Sequence, residues 1–261
     1  SIDFDTSDSM GANFINSCLE VMSEKIKDLS SKYEDFKKNN YEVNIIMSIL
    51  SNYTPDCIVE AYTECDIDNL TGIQDTEPEK FAKKMKYAFE IAKIDINRAV
   101  THNKGIMNGI DAILIATGND FRAVEAGIHA YASSNSKYKS LSECSITGNK
   151  FRLSLKIPLS VGTVGGITDL HPLVKLSLQI LDNPSSKDLM SIVACVGLAQ
   201  NFAAVKSLIT SGIQQGHMKM HLINLLIKNN ANRDQIIKAK QYFLNKEINS
   251  SSVKDFLKLN R

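Results

Sequence analysis

A chain of 261 residues can bury one large core or two smaller ones without disulfide or metal staples. Its 30 Lys and Arg against 29 Asp and Glu leave a formal charge of +1, and the lysines are scattered, so neither nucleic acid nor an anionic membrane is an expected partner. The five cysteines, Cys18, Cys57, Cys65, Cys144 and Cys195, are odd in number and lack metal-ligand spacing, which reads as reduced thiols of a cytoplasmic protein.

In chain order, residues 1–5 alternate like a strand, and residues 12–26 carry a helical apolar stripe at Phe14, Ile15, Cys18, Leu19, Val21, Met22 and Ile26. Residues 41–50 are β-branched and apolar and predict a strand; 52–56, with Pro55, predict a loop and a candidate boundary. Residues 57–65 alternate as a second strand. Asp75 or Thr76 is placed to cap a helix with Glu77, Pro78 and Glu79 in its first turn, running to about Ile96. Helical patterns follow at 98–116 and 120–132. Residues 141–146, the turn Thr147-Gly148-Asn149 and residues 150–157 predict a hairpin. Helices are expected at 172–181, 186–198 and 203–209; Gly212 and Gly216 then break the pattern. Residues 218–259 read as a small helical subdomain with a linker at 249–252. The apolar runs 110–116 and 189–199 are shorter than the roughly 20 residues of a membrane span. No basic-then-apolar signal segment opens the sequence.

Arg98-Ala99-Val100-Thr101-His102-Asn103-Lys104-Gly105-Ile106-Met107-Asn108-Gly109 is the segment richest in chemistry. Sixteen residues beyond Lys104 stands Asp120, in Thr117-Gly118-Asn119-Asp120. A lysine and an aspartate bordering an apolar element form either a structural ion pair or a site for a carbonyl oxygen that becomes an alkoxide. Asp120 also suits the N-cap of the next helix. His102 is a tempting general base, but reads better as a structural neighbour. His217, directly after Gly216 and five residues beyond Gly212, is placed as a residue on a hinge. His217 and His221 could share a helix face, yet the segment lacks the glutamate of the metalloprotease motif, and no metal is expected. Asp8-Ser9-Met10-Gly11-Ala12-Asn13 puts one glycine before a helix, where amides could receive a pyrophosphate. Gly162 to Gly166 is a glycine-rich loop without a following P-loop lysine, and so reads as a tight turn shaping a pocket wall.

The run THNKGIMNGIDAILIATGNDFRAVEAGIHAYAS closely resembles the core of class II, bacterial or archaeal type, hydroxymethylglutaryl-CoA reductases. The resemblance extends in order through Asp8–Asn13, where the family usually has Ala at the position of Ser9. It continues through Asn52 with its preceding Ile49-Leu50-Ser51, Val161–Gly166, Gly197–Asn201 and Gly212–Met218, covering nearly the whole chain.

This resemblance implies an α+β fold. Residues 1–51 would form the second half of a small ferredoxin-like NAD(P)-binding domain, 52–213 the large helix-rich catalytic domain and 214–261 a helical flap. It implies reduction of the hydroxymethylglutaryl-CoA thioester by two hydrides from NAD(P)H, giving mevalonate and CoA, or the reverse, within isoprenoid metabolism. Lys104 would stabilise the thioester and aldehyde oxygens, Asp120 would hold and tune Lys104, and His217 would protonate the departing CoA thiolate. Arg98 would grip the substrate carboxylate, with Thr101, Asn108 and Asn52 adding neutral hydrogen bonds. Asp8, Met10, Gly11, Ala12 and Asn13 would meet the dinucleotide. A homodimer sharing its sites is implied. So is a glutamate proton donor in a segment before Ser1, so the 261 residues read as a C-terminal portion. The alternative is a catalytically incomplete piece that works with a separate N-terminal polypeptide.

Overall fold

A computed structural model describes residues 2–73, 76–210, 212–244, 246 and 248–260, with the backbone alone at 213–220. Asp75, one of the two expected caps, lies outside the described residues, as does the His217 side chain. The fold is α+β, and the chain divides into two compact units, residues 1–66 with 89–201 and residues 67–88 with 202–261.

The first unit opens with α1 (Ala12–Lys32) and α2 (Glu34–Asn39). A three-stranded antiparallel sheet follows from β1 (Ile58–Asp66), β2 (Ser142–Thr147) and β3 (Lys150–Pro158), in the order β1-β3-β2. The register sets Ile58 opposite Pro158 and Ser142 opposite Leu155. Alternation along β3 sends Phe151, Leu153, Leu155 and Ile157 into the core. Arg152 points the other way, 3.6 Å from Glu60 and with its guanidinium 3.9 Å from the centre of the Tyr62 ring.

The core on the inner face is closed by α4 (Ile96–Ala116), α5 (Phe121–Ala132), α6 (Pro172–Ile180) and the first part of α7 (Ser186–Ile209). Gly197 makes that packing possible: a Cβ there would stand 3.0 Å from Ile110 and 3.2 Å from Leu155. The second unit holds the start of α3 (Pro78–Ile94) and the end of α7, with α8 (Ile213–Lys228), α9 (Arg233–Tyr242) and α10 (Ser250–Leu259). Leu222, Leu226, Ala239, Phe243, Val253 and Phe256 form its core.

Several expectations need correction. Residues 41–50 take no regular secondary structure and join no sheet among the described residues, and Tyr41, Ile46, Met47 and Ile49 are exposed. A segment becomes a strand only when a neighbouring strand takes its backbone groups in a ladder, whereas here the Leu50 amide donates to the Asn16 side chain and the Tyr41 amide to the Phe36 carbonyl. Residues 2–5 likewise join no sheet among the described residues. The two helices expected at 186–198 and 203–209 are one, α7. Asn201 does not break it because its side chain bonds sideways to Ser142 rather than to its own backbone. By length and composition α7 reaches what a membrane span needs. Its contacts through Gly197 and Asn201 are those of a core helix. Gly216 lies inside α8, with Gly212 at its N-cap. Residues 249–252 are no linker: Asn249 and Ser252 form the capping box of α10.

Candidate active site

Helix α4 organises the site. Asp95 starts it by accepting from the Asn97 amide at 2.9 Å. Ala99, Ile106, Met107, Ile110 and Leu114 bury one side against the core. At about 100° per residue, positions 101, 104 and 108 fall within about 60° of one another on the opposite side. Thr101, Lys104 and Asn108 are accordingly all exposed, and half-buried Arg98 stands at the border. Four of the residues expected to handle substrate are thus gathered along one side of one helix. The Thr101 hydroxyl donates to the Asn97 carbonyl at 3.3 Å.

Asp120 does what a helix cap does. Its carboxylate accepts from the Arg122 and Ala123 amides at 3.1 and 3.2 Å, and the Arg122 guanidinium lies 3.5 Å away. The helical rise separates Lys104 from Ala116 by about 18 Å, and Asp120 follows just beyond that end. Among the described residues no ion pair joins Lys104 to Asp120 within the chain. The Thr117-Gly118-Asn119-Asp120 segment has a clear local logic. Gly118 takes a left-handed φ of 70°. Asn119 holds the 160s loop by accepting from the Gly162 amide at 2.8 Å and donating to the Gly162 carbonyl at 3.0 Å.

That loop also receives the Asp8–Asn13 segment. The Thr163 amide donates to the Asp8 carbonyl at 2.8 Å. A Cβ on Gly162 would come within 2.5 Å of the Met10 nitrogen, so only glycine permits the approach. The Asp8 carboxylate accepts from the Ser186 amide at 2.7 Å, at the start of α7, and the bonds from Ser186 hold its pKa below the ordinary carboxylate range. Met10 and Ala12 share a cleft with Asn52, Gly127 and Ser160. The first turn of α1 carries no acidic residue and no side-chain cap, and Gly11 and Ala12 leave its amides open. A long uncapped helix start behind small residues fits the pyrophosphate of a dinucleotide. His217 lies on α8, its side chain outside the described residues.

Sequence reasoning missed a buried polar cluster behind α4. His102, Ser142 and Asn201 are almost wholly buried. The His102 Nε2 lies 2.7 Å from the Ser142 hydroxyl, which donates to Asn201 Oδ1 at 2.9 Å. Burial, with the Arg98 guanidinium beside it, pushes the His102 pKa down to about 4. Asn103 fastens the same region, donating to the Lys139 carbonyl and accepting from the Leu141 amide. The signal was available in Asn201, a polar residue just beyond the apolar run 189–199 within α7. Further along α4, burial and the neighbouring Glu125 push Asp111 up to about 6.

Residues 1–222 match the family model described as hydroxymethylglutaryl-coenzyme A reductase. The chain is 40% identical over 234 residues to the 3-hydroxy-3-methylglutaryl-coenzyme A reductase of Archaeoglobus fulgidus, an alignment covering 89% of this chain and 49% of that protein. It is 39% identical over 223 residues to the probable reductase of Borreliella burgdorferi, covering 85% and 49%. It therefore spans about half the length of these curated relatives. The solved reductase of Streptococcus pneumoniae matches 98% of the chain over 59% of its own, with a TM-score of 0.71 at 38% identity. A class II structure from the same organism, bound to NADPH, gives 0.70 at 38% identity, covering 98% and 60%. With most of its length matched by the model and by relatives near 40% identity, the chain belongs to the hydroxymethylglutaryl-coenzyme A reductase family.

Proposed function

We propose that this chain carries the substrate-handling half of an NAD(P)H-dependent reductase that converts hydroxymethylglutaryl-CoA to mevalonate and CoA, or runs the reverse. The observation that carries the reading is the polar side of α4, where Arg98, Thr101, Lys104 and Asn108 line up against a fully packed opposite side. Arg98 suits the substrate carboxylate because its half-buried guanidinium has no carboxylate partner among the described residues. Lys104 supplies a compact positive charge for a developing oxyanion, and Thr101, Asn108 and Asn52 orient the acyl group. Asp120 supports Lys104 from a second copy of the chain, since within one chain it caps α5. Met10, Gly11, Ala12 and Asn13 hold the dinucleotide at the start of α1, and Asp8 fastens their loop to α7. A nicotinamide, when bound, supplies hydride.

The first reduction turns the thioester into a hemithioacetal, whose C–S bond then breaks to give the aldehyde and a thiolate. Lys104 holds the oxygen through both reductions. His217 protonates the thiolate and so prevents its return to the aldehyde. A homodimer belongs to this reading, supported by the exposed strip Leu173, Leu176 and Ile180 on α6. Sedimentation of Leu176→Glu should shift toward monomer, and an unchanged dimer would remove that strip from the interface.

The test uses the enzyme with any N-terminal portion in place. His217→Ala should depress thioester reduction by about 10²–10⁴ while mevaldehyde reduction, which releases no thiolate, stays largely intact. Equal loss of both activities would remove His217 from that role, and absence of either activity in the unsubstituted enzyme would refute the assignment.

A second reading, a piece that acts with a covering polypeptide, is favoured by the exposed Phe14, Val21, Ile46 and Met47. Expressed as these 261 residues, the chain should then bind a hydrophobic dye. Dye silence would argue against it.

A further inference from the structure

We propose that His102 is a positioning residue that holds Arg98 for its anionic ligand, as a buried neutral imidazole that Ser142 and Asn201 keep in place. The inference rests on the reading of Arg98 given above and adds what orients it.

The geometry fixes the proton. The Arg98 Nη2 lies 3.4 Å from His102 Nδ1. A guanidinium only donates, so Nδ1 must offer its lone pair, and a neutral ring then carries its hydrogen on Nε2. Nε2 finds the Ser142 hydroxyl at 2.7 Å, and that hydroxyl passes its own hydrogen to Asn201 Oδ1 at 2.9 Å. The donor left without an acceptor in this series is the neutral amide of Asn201. The alternative tautomer would let Asn201 Nδ2, 3.2 Å away, donate to Nε2. It would also turn an N–H toward the Arg98 guanidinium 3.4 Å away, setting a donor against a full positive charge. A donor facing a cation costs more than a donor facing a neutral amide, which favours the first tautomer.

The ring is also fixed in place. Phe89 packs edge-on at 4.9 Å between ring centres, and Ser142 is set by its position in β2, opposite Leu155. With His102 1% exposed and Asn201 fully buried, no substrate reaches this cluster. It acts through Arg98 alone. A charged imidazole would repel the guanidinium it is meant to hold, and the low pKa of His102 keeps the ring neutral across the ordinary working range. The inner half of α4 thus aims the guanidinium that its outer half presents.

The experiment uses the whole enzyme. His102→Phe keeps an aromatic ring but removes both nitrogens. KM for hydroxymethylglutaryl-CoA should rise about 10-fold or more with a smaller change in kcat, while the affinity for free CoA, which lacks the carboxylate, stays within about 2-fold. His102→Gln, retaining a donor and an acceptor, should recover most of the loss, and Ser142→Ala should raise KM by about 3-fold. Unchanged KM in both His102→Phe and Ser142→Ala would overturn the proposal. So would parallel loss of free CoA binding, which would mark the cluster as merely structural. Should His102→Phe fail to fold, the ring nitrogen resonances of the unsubstituted protein decide: Nε2–H with bare Nδ1 between pH 6 and 8 is expected, and Nδ1–H or a charged ring would refute it. Arg98→Lys separates the two layers. A silent Arg98→Lys removes the carboxylate grip itself, whereas a raised KM there with a silent His102→Phe removes only the positioning role.

Discussion

Helices α1 and α4 are both 21 residues long, and the chain treats them oppositely. Helix α4 buries Ala99, His102, Asn103, Ile106, Met107, Gly109, Ile110 and Leu114, while α1 buries none of its residues fully. Both have an apolar stripe, but on α1 Phe14, Val21 and Leu29 remain 61%, 72% and 56% exposed. A stripe creates a helix that could be buried; burial itself requires a facing surface. For α4 the sheet side and α7 supply it. Among the described residues α1 has only partial cover, from the segment 41–50 through Ser23 with Ser48 and Asn16 with Leu50, and that segment is itself largely exposed. A reacting group needs a support that does not fluctuate, and only α4 offers one made by this chain.

The largest expected contrast is in amide hydrogen exchange of the 261-residue chain. Amides in the middle of α4 should exchange only by near-global opening, and those of α1 by local fraying. The rates should differ by at least about 10³-fold. Comparable protection of the two helices would break the comparison.

The titration of stability should separate them next. In the folded chain His102 stays neutral down to about pH 4, whereas the unfolded chain takes up its proton near the ordinary 6.5. Its contribution is complete above that value and falls by roughly 3 kcal/mol as pH drops toward 4. Asp111, raised to about 6 from 3.8, runs the other way. Its stabilising proton is fully held below about 3.8 and lost as pH rises through 6. The two trends oppose each other, so Asp111→Asn should show a steeper acid decline than the unsubstituted chain in denaturant midpoints. Identical slopes would contradict this. Asp28 on α1, lowered mainly by its hydrogen bond to Lys32, has no burial of this kind behind it.

Two glycines sharpen the contrast further. Gly162→Ala drives a Cβ into the Met10 backbone and should cost about 2–3 kcal/mol in thermal or chemical unfolding. Gly197→Ala meets only the side chains of Ile110 and Leu155 and the chain should yield there, at about 1 kcal/mol. The reverse order would show that the Asp8–Asn13 loop is held less firmly than its contacts indicate.

The same contrast explains what was legible in the sequence. Helix α5, with Asp120 as its cap, and the hairpin around Gly148 were readable because local signals suffice: caps, turn residues and alternation. The sheet register and the sideways bond of Asn201 were not, since both depend on residues tens of positions away. Residues 41–50 misled for the converse reason, as strand propensity without a partner makes no strand. At the site, Lys104, Thr101 and Asn108 could be placed together by helical spacing alone. The tautomer of His102 needed Ser142, 40 residues distant. Resemblance to a family supplied roles for these residues, and the packing of α4 supplied the reason they can be held still.

The most direct test of the polar side of α4 is Lys104→Ala, measured for turnover and for melting temperature on one preparation of the enzyme. Because Lys104 is exposed and makes no ion pair among the described residues, melting should stay within about 2 °C. Thioester and mevaldehyde reduction should both fall by about 10²–10³ or more. Turnover within about 3-fold of the unsubstituted enzyme, with the same melting temperature, would show that the reaction is carried elsewhere.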